Sequence, residues 1–210
     1  MKIICVGRNY AEHAAEIGDA PPTSPLLFGK FTNTLIGPGD AIVLPPEATH
    51  VDAEAELCVE IGQSGKRIPE DDALDYVRGY RCANDLSARN IQYSEAQWTR
   101  AKGFDTFCPV GTECVPVSEL GDGSGLRVIQ RLNGDVLQDG NTADMIFSVP
   151  YLIAYASSTF TLEPGDLILT GTPSGVGWAR DPKIALQAGD VVEVEVEGIG
   201  ILRNPVVTDA

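Results

Sequence analysis

The sequence predicts an α+β fold rich in β structure, and three observations lead there. Apolar runs of strand length keep returning between Gly- and Pro-containing turns. Helix-like periodicity occurs only in short pieces. With 210 residues, 43% of them hydrophobic, the chain is long enough to bury one sizeable core.

The elements follow in order. A strand is expected at Lys2 to Val6, then a helix at Tyr10 to Ile17 with Asn9 as N-cap, Glu12 three residues on and Gly18 to end it. The Pro-rich stretch Ala20 to Pro25 is too short to separate two cores, so a single domain over residues 1–210 is expected. Strands are expected at Leu26 to Phe31, Ala41 to Leu44 and Ala53 to Ile61, the first two divided by the Gly37-Pro38-Gly39-Asp40 turn. A helix at Glu70 to Val77, a strand at Gly79 to Asn84 and a helix at Ser87 to Arg100 come next. A strand at Arg127 to Leu132 runs into the turn Asn133-Gly134-Asp135, and Val149 to Thr159 reads as helix. The last strands are Leu167 to Leu169, Val191 to Val196 and Gly200 to Arg203. The first two of these follow the similar turns Pro164-Gly165-Asp166 and Ala188-Gly189-Asp190.

Asp and Glu number 30 against 15 Lys and Arg, a formal charge of −15. Neither a nucleic-acid backbone nor an anionic membrane surface is expected as partner, because each needs a cationic footprint. The same charge leaves many hard carboxylate oxygens for Mg²⁺, Mn²⁺ or Ca²⁺. The cysteines are five, an odd number in no CxxC pair, and are read as reduced packing residues. The apolar start is interrupted by Arg8 and Asn9, and no stretch approaches membrane-spanning length, so a cytoplasmic location is expected.

The most informative stretch is Asp52-Ala53-Glu54-Ala55-Glu56-Leu57-Cys58-Val59-Glu60-Ile61, which alternates with the two-residue period of a strand. Asp52, Glu54, Glu56, Cys58 and Glu60 fall on one face. Two readings stay open here: a solvated acidic face, or Glu54 and Glu56 leaning toward one cation with a third anchor from elsewhere. A second segment, Gly79 to Arg89, passes from strand into the polar turn Asn84-Asp85, where Asp85 or Ser87 could cap the next helix. Lys102-Gly103-Phe104-Asp105-Thr106-Phe107-Cys108-Pro109 is the third. The fourth, Thr170-Gly171-Thr172-Pro173-Ser174-Gly175-Val176-Gly177, is a glycine-rich loop whose backbone N–H groups suit a ligand carboxylate or phosphate.

In this order the four segments resemble the fumarylacetoacetate hydrolase family over nearly the whole chain. Val6-Gly7-Arg8-Asn9-Tyr10-Ala11-Glu12-His13 is similar to its smaller members, the acylpyruvase, fumarylpyruvate hydrolase and oxaloacetate decarboxylase group. The resemblance implies a mixed β-roll core of the family's C-terminal-domain type with a few short helices, homodimeric assembly and a bound Mg²⁺ or Mn²⁺. It makes Glu54, Glu56 and Asp85 the metal ligands, with Asp52 and Glu60 outlying or solvated; the oxygen donors would also accept Ca²⁺. The implied substrates are small 2-oxo acids, cleaved through a metal-stabilised pyruvate enolate.

The same resemblance makes His13 and Glu16, three apart on the first helix, a water-activating pair on a lid, and Lys102 a catalytic cation beside the substrate. Arg89 and Gln92 become substrate contacts, the Arg fork suiting a distal carboxylate, and Thr172 a contact to the 2-oxo acid. His50 follows Pro45-Pro46 in a loop and is given no role. Asn90 stands where many relatives have Asp, and the interval from Asp85 to Lys102 is shorter than in several of them, so a remodelled pocket lip is expected, with Gln92 most affected. The leading expectation is hydrolysis of acylpyruvates. Oxaloacetate decarboxylation, isomerisation or decarboxylation of hydroxy-dienedioates, and a silent oxo-acid-binding relative are the alternatives.

Overall fold

The computed structural model describes residues 1–209. Two five-stranded sheets make the frame. The first runs Leu26–Lys30, Ile3–Gly7, Leu167–Leu169, Ala55–Ile61, Val77–Asn84, and the second runs Asp135–Asn141, Arg127–Leu132, Val191–Val196, Gly200–Thr208, Ile42–Leu44. Both are mixed. Ile3–Gly7 pairs in parallel with Leu167–Leu169, and Gly200–Thr208 in parallel with Ile42–Leu44, while the other pairings are antiparallel.

Alternation along the strands sorts side chains into cores. Ile4, Val6, Leu57, Val59, Ile61 and Tyr80 of the first sheet meet Val128, Val194, Val196 and Leu202 of the second, and the helix Val149–Thr159 adds Leu152, Ile153 and Ala156. On the first sheet's other face Ile3, Cys5, Cys58, Cys108 and Leu169 form a separate cluster. In Val191–Val196 the valines at 192, 194 and 196 are buried, while Glu193 pairs with Arg203 and Glu195 with Arg131 on the outside. All five cysteines are free, and burial pushes the Cys82 thiol up to about 11 and the Cys108 thiol to about 12.

Several expected elements differ. The helix Val149–Thr159 has the expected bounds, with Ser148 accepting from the Tyr151 N–H as its N-cap. The first helix is Ala11–Glu16, and its N-cap is Tyr10 rather than Asn9. The Asn9 amide instead donates to the Phe147 and Thr170 carbonyls and accepts from the Phe147 N–H, stitching three segments together. Residues 70–76 form a 3₁₀ turn instead of an α-helix. The expected Ser87 to Arg100 helix breaks into a strand pair at Ser87–Ala88 and two four-residue helices, Arg89–Gln92 and Thr99–Lys102. Neither Asp85 nor Ser87 caps a helix, for the first of these helices begins after Ala88. The Asn133-Gly134 turn proves to be a hairpin whose return strand, Asp135–Asn141, carries no hydrophobic alternation and was not expected. No helix among the described residues is long and apolar enough to cross a membrane.

Candidate active site

The acidic stretch is not one strand. It is a short strand at Val51–Asp52, a break at 53–54, and the strand Ala55–Ile61. Its acidic face is buried: Asp52, Glu54, Glu56 and Glu60 are all at most 5% exposed. The solvated reading is therefore wrong, and of the two alternatives for Asp52 and Glu60, outlying or solvated, burial leaves the first. Buried carboxylates need compensation, and each finds its own.

Glu60, at one end of the strand, is held by Arg78 at 2.8 Å and Arg81 at 2.6 Å. Asp52, at the other end, accepts from the Gly177 and Trp178 N–H groups at 2.9 and 3.0 Å and from Arg89 Nη2 at 2.9 Å. Glu54 is bound by Arg89 at 2.6 Å and by Lys102 at 2.9 Å. Burial alone would raise its carboxyl, but Lys102 and then Arg89 outweigh that and hold it well below the usual range.

Asp85 stands after the neighbouring strand Val77–Asn84, placed by its N–H on the Glu54 carbonyl at 2.9 Å. Lys102 Nζ reaches its Oδ2 at 2.7 Å and also the Ser87 hydroxyl at 2.6 Å. Lys30 Nζ pairs with Asp85 Oδ1 and donates to the Leu86 and Phe107 carbonyls. Burial opposes the charge on Lys102, yet Asp85 and Glu54 raise its pKa above the ordinary lysine value.

Glu56 is the exception. It is 2% exposed, accepts one N–H, from Gly171 at 2.7 Å, and has no cationic partner among the described residues. Burial first, then Asp85 and Glu54, push its carboxyl well above the usual carboxylate range. The ligand oxygens of Glu54, Glu56 and Asp85 lie within 4.8 Å of one another. Three hard oxygen donors on converging elements, one of them lacking a counter-charge, fit a hard divalent cation such as Mg²⁺ or Mn²⁺.

A cavity of about 190 Å³ brings His13, Glu54, Glu56, Asp85, Arg89, Gln92, Lys102 and Thr172 onto one wall system. Glu16 is outside the lining but holds His13: its Oε1 is 2.7 Å from His13 Nδ1, and its Oε2 accepts from the Gly175 N–H at 2.8 Å. Arg89 is not a free fork. Its Nε and Nη2 are bound to Asp52 and Glu54, and Nη1 donates to Gln92 Oε1 at 2.8 Å. Thr172 likewise donates its hydroxyl to the Ala55 carbonyl and accepts from Gln138 Nε2 at 2.7 Å.

The glycine-rich loop differs from expectation in what it binds. The N–H groups of Gly171, Gly175 and Gly177 go to the protein's own Glu56, Glu16 and Asp52 rather than facing a ligand. Gly171 has φ +101, and a Cβ there would lie 2.8 Å from that of Asn9; at Gly175, φ +104, it would lie 2.3 Å from the Leu137 carbonyl oxygen. Only glycine brings those N–H groups close enough.

Three residues escaped the sequence. Lys30 sits in an apolar strand on the same side as Phe28, and a lysine at such a position is the signal that could have flagged it. Gln138 joins Ala55 N–H, Thr172 and Pro173, but its strand has no readable pattern. Arg8 lines the cavity beside Trp98. His50 packs edge-on against Trp178 outside the cavity lining, and Asn90 donates to the Glu47 carbonyl on the surface.

Residues 2–207 match the family of fumarylacetoacetate hydrolase C-terminal domains. The chain belongs to that family. Among curated members, oxaloacetate tautomerase fahd2 of Xenopus laevis, a mitochondrial protein, is 47% identical over 98% of the chain, which spans 65% of that relative's length. Among solved family structures, 5-carboxymethyl-2-hydroxymuconate delta-isomerase of Mycobacterium smegmatis superposes with a TM-score of 0.88 at 42% identity, covering all of this chain and 79% of that one. Fumarylpyruvate hydrolase of Pseudomonas aeruginosa, solved with Mn²⁺ and pyruvate, gives 0.90 at 30% identity, covering all of this chain and 90% of that one. The mixed sheets with few helices are the family's fold.

Proposed function

We propose that this chain is a Mg²⁺- or Mn²⁺-dependent enzyme that moves a proton at the carbon beside the 2-oxo group of small 2-oxo acids, oxaloacetate foremost. The observation that carries this is that one cavity is lined both by the clustered Glu54, Glu56 and Asp85 carboxylates and by His13, which Glu16 backs. What a divalent cation supplies when held by those carboxylates is Lewis-acid stabilisation of negative charge on the 2-oxo oxygen.

The remaining work falls to side chains. Glu16, itself fixed by the Gly175 N–H, accepts from His13 Nδ1–H and so leaves Nε2 as the acceptor that takes a proton. Returning it at carbon or oxygen interconverts keto and enol forms. Lys102 holds Glu54 ionised, pairs with Asp85 and adds positive charge at the cavity wall. Arg89, tied to Asp52 and Gln92, orients Glu54. Assembly as a homodimer is part of the same reading.

Hydrolysis of acylpyruvates is the second reading, because a His13–Glu16 pair that accepts a proton from carbon also accepts one from water. The fumarylpyruvate hydrolase structure with Mn²⁺ and pyruvate supports it. The deciding experiment compares kcat/KM for oxaloacetate enolisation, oxaloacetate decarboxylation, and hydrolysis of acetylpyruvate and fumarylpyruvate in metal-replete buffer. Oxaloacetate enolisation should rank first. If acylpyruvate hydrolysis exceeds it, the hydrolase reading replaces this one; no turnover of any of the three compounds ends both.

A further inference from the structure

Three cations line the cavity: Arg8, Arg89 and Lys102. Arg89 and Lys102 are bound to buried carboxylates on several sides. Arg8 is not. Its ionic partner is Asp19, at 2.9 Å from Nη2, and both side chains are about one third exposed, 31% and 36%. Its Nε is buried and has no hydrogen-bond partner. The guanidinium lies 5.4 Å from the centre of the Trp98 ring, another cavity wall.

The backbone at Arg8 is also unusual. Its φ is +59, in the left-handed region that disfavours L side chains other than Asn and Asp. The turn is braced on either side. A Cβ on Gly7 would lie 2.6 Å from the Trp98 ring, and Asn9 is tied to Phe147 and Thr170. A strained residue presenting unmatched N–H donors at a cavity whose other cations are each bound to buried carboxylates is placed for a ligand.

We propose that Arg8 binds the distal carboxylate of a 2-oxo dicarboxylate and makes the site selective for diacids over 2-oxo acids that end in a methyl group. The assignment rests on the 2-oxo acid reading above. A planar fork with free donors matches a carboxylate, and Trp98 beneath it holds the plane. Asp19 steadies Nη2 and leaves Nη1 for the ligand. This gives Arg8 the role that the sequence assigned to Arg89, whose fork is occupied by Asp52, Glu54 and Gln92.

The test uses the full chain loaded with Mn²⁺, as wild type, Arg8→Asn and Arg8→Lys; asparagine tolerates the left-handed backbone and keeps the fold. Oxaloacetate and 2-oxobutyrate have the same chain length and differ in carboxylate against methyl. Their affinities are measured by calorimetry, and KM and kcat are measured for oxaloacetate. In Arg8→Asn, oxaloacetate affinity should fall about tenfold to a hundredfold, as KM rather than kcat, with 2-oxobutyrate affinity unchanged within about twofold. Arg8→Lys should recover part of the loss. Equal losses for both acids would make Arg8 merely structural, and no loss for either would remove it from recognition; each overturns the proposal. If wild type binds oxaloacetate selectively without turning it over, the proposed activity fails while the Arg8 assignment stands.

Discussion

Replacing Glu56 with Gln should make the metal-free protein more stable and the metal-loaded protein less responsive. Glu56 is the one member of the carboxylate triad without a cationic partner, and its oxygens lie within 4.8 Å of Glu54 and Asp85. At an effective dielectric of about 20, one such neighbour 4.8 Å away repels by roughly 3.5 kcal/mol. Lys102, Arg89 and Lys30 neutralise much of that field by holding the two neighbours, and the Gly171 N–H returns part of the rest. A net relief of about 1–2 kcal/mol remains, equal to roughly 2–8 °C in Tm for a chain this size.

The assay is thermal unfolding in chelator and again with excess Mg²⁺ or Mn²⁺. Metal at one hundred times Kd should stabilise wild type by about 2.7 kcal/mol, and Glu56→Gln by far less at the same concentration, so the two proteins change order. The pH dependence gives a second signature. Burial raises the Glu56 carboxyl above 4.5, so the native state keeps a proton there that the unfolded chain has released. Between 4.5 and that raised value the metal-free wild type therefore loses stability as pH rises, and the Gln variant lacks this slope. A variant that melts below wild type in chelator and responds equally to metal refutes the reasoning.

Three further outcomes are expected. His13→Ala should lower kcat by about 10²–10⁴-fold while leaving Mn²⁺ affinity unchanged, since His13 lines the same cavity without belonging to the carboxylate cluster; calorimetry beside steady-state rates separates the two. Gln138→Leu removes a fully buried amide that joins the Ala55 N–H, Thr172 and the Pro173 carbonyl, and should cost about 2–4 kcal/mol in thermal or denaturant unfolding. Oxalate, a planar mimic of the deprotonated 2-oxo acid, should inhibit the metal-loaded enzyme competitively, and non-competitive kinetics would contradict a shared site.

Much of the site was legible because its chemistry is written in local motifs. The two-residue alternation from Asp52 to Ile61 put Glu54 and Glu56 on one side, and the junction at Asn84-Asp85 marked the third carboxylate. The spacing of His13 and Glu16 on one helix turn is a local property, and the structure keeps it. The failures were equally physical. The helix expected from Ser87 to Arg100 broke into short pieces, with Arg89 and Lys102 turned inward onto Asp52, Glu54 and Asp85. The strand Asp135–Asn141 forms on hairpin hydrogen bonds alone, with no apolar face to announce it.

By itself the sequence determined which groups are available and in what local order: strands from alternation, turns from Gly and Pro, and a family's motifs carrying three carboxylates, a His–Glu pair and a lysine. The tertiary structure decided how the charges compensate one another. That the acidic face is buried, that Arg89 serves Asp52 and Glu54 and not an open pocket, that glycine N–H groups hold protein carboxylates, and that Glu56 is left without a counter-charge and Arg8 Nε without a partner all depend on contacts between residues far apart in the chain. Charge pairing and desolvation are set by distances of a few ångströms between such residues, and no window of neighbouring residues encodes those distances.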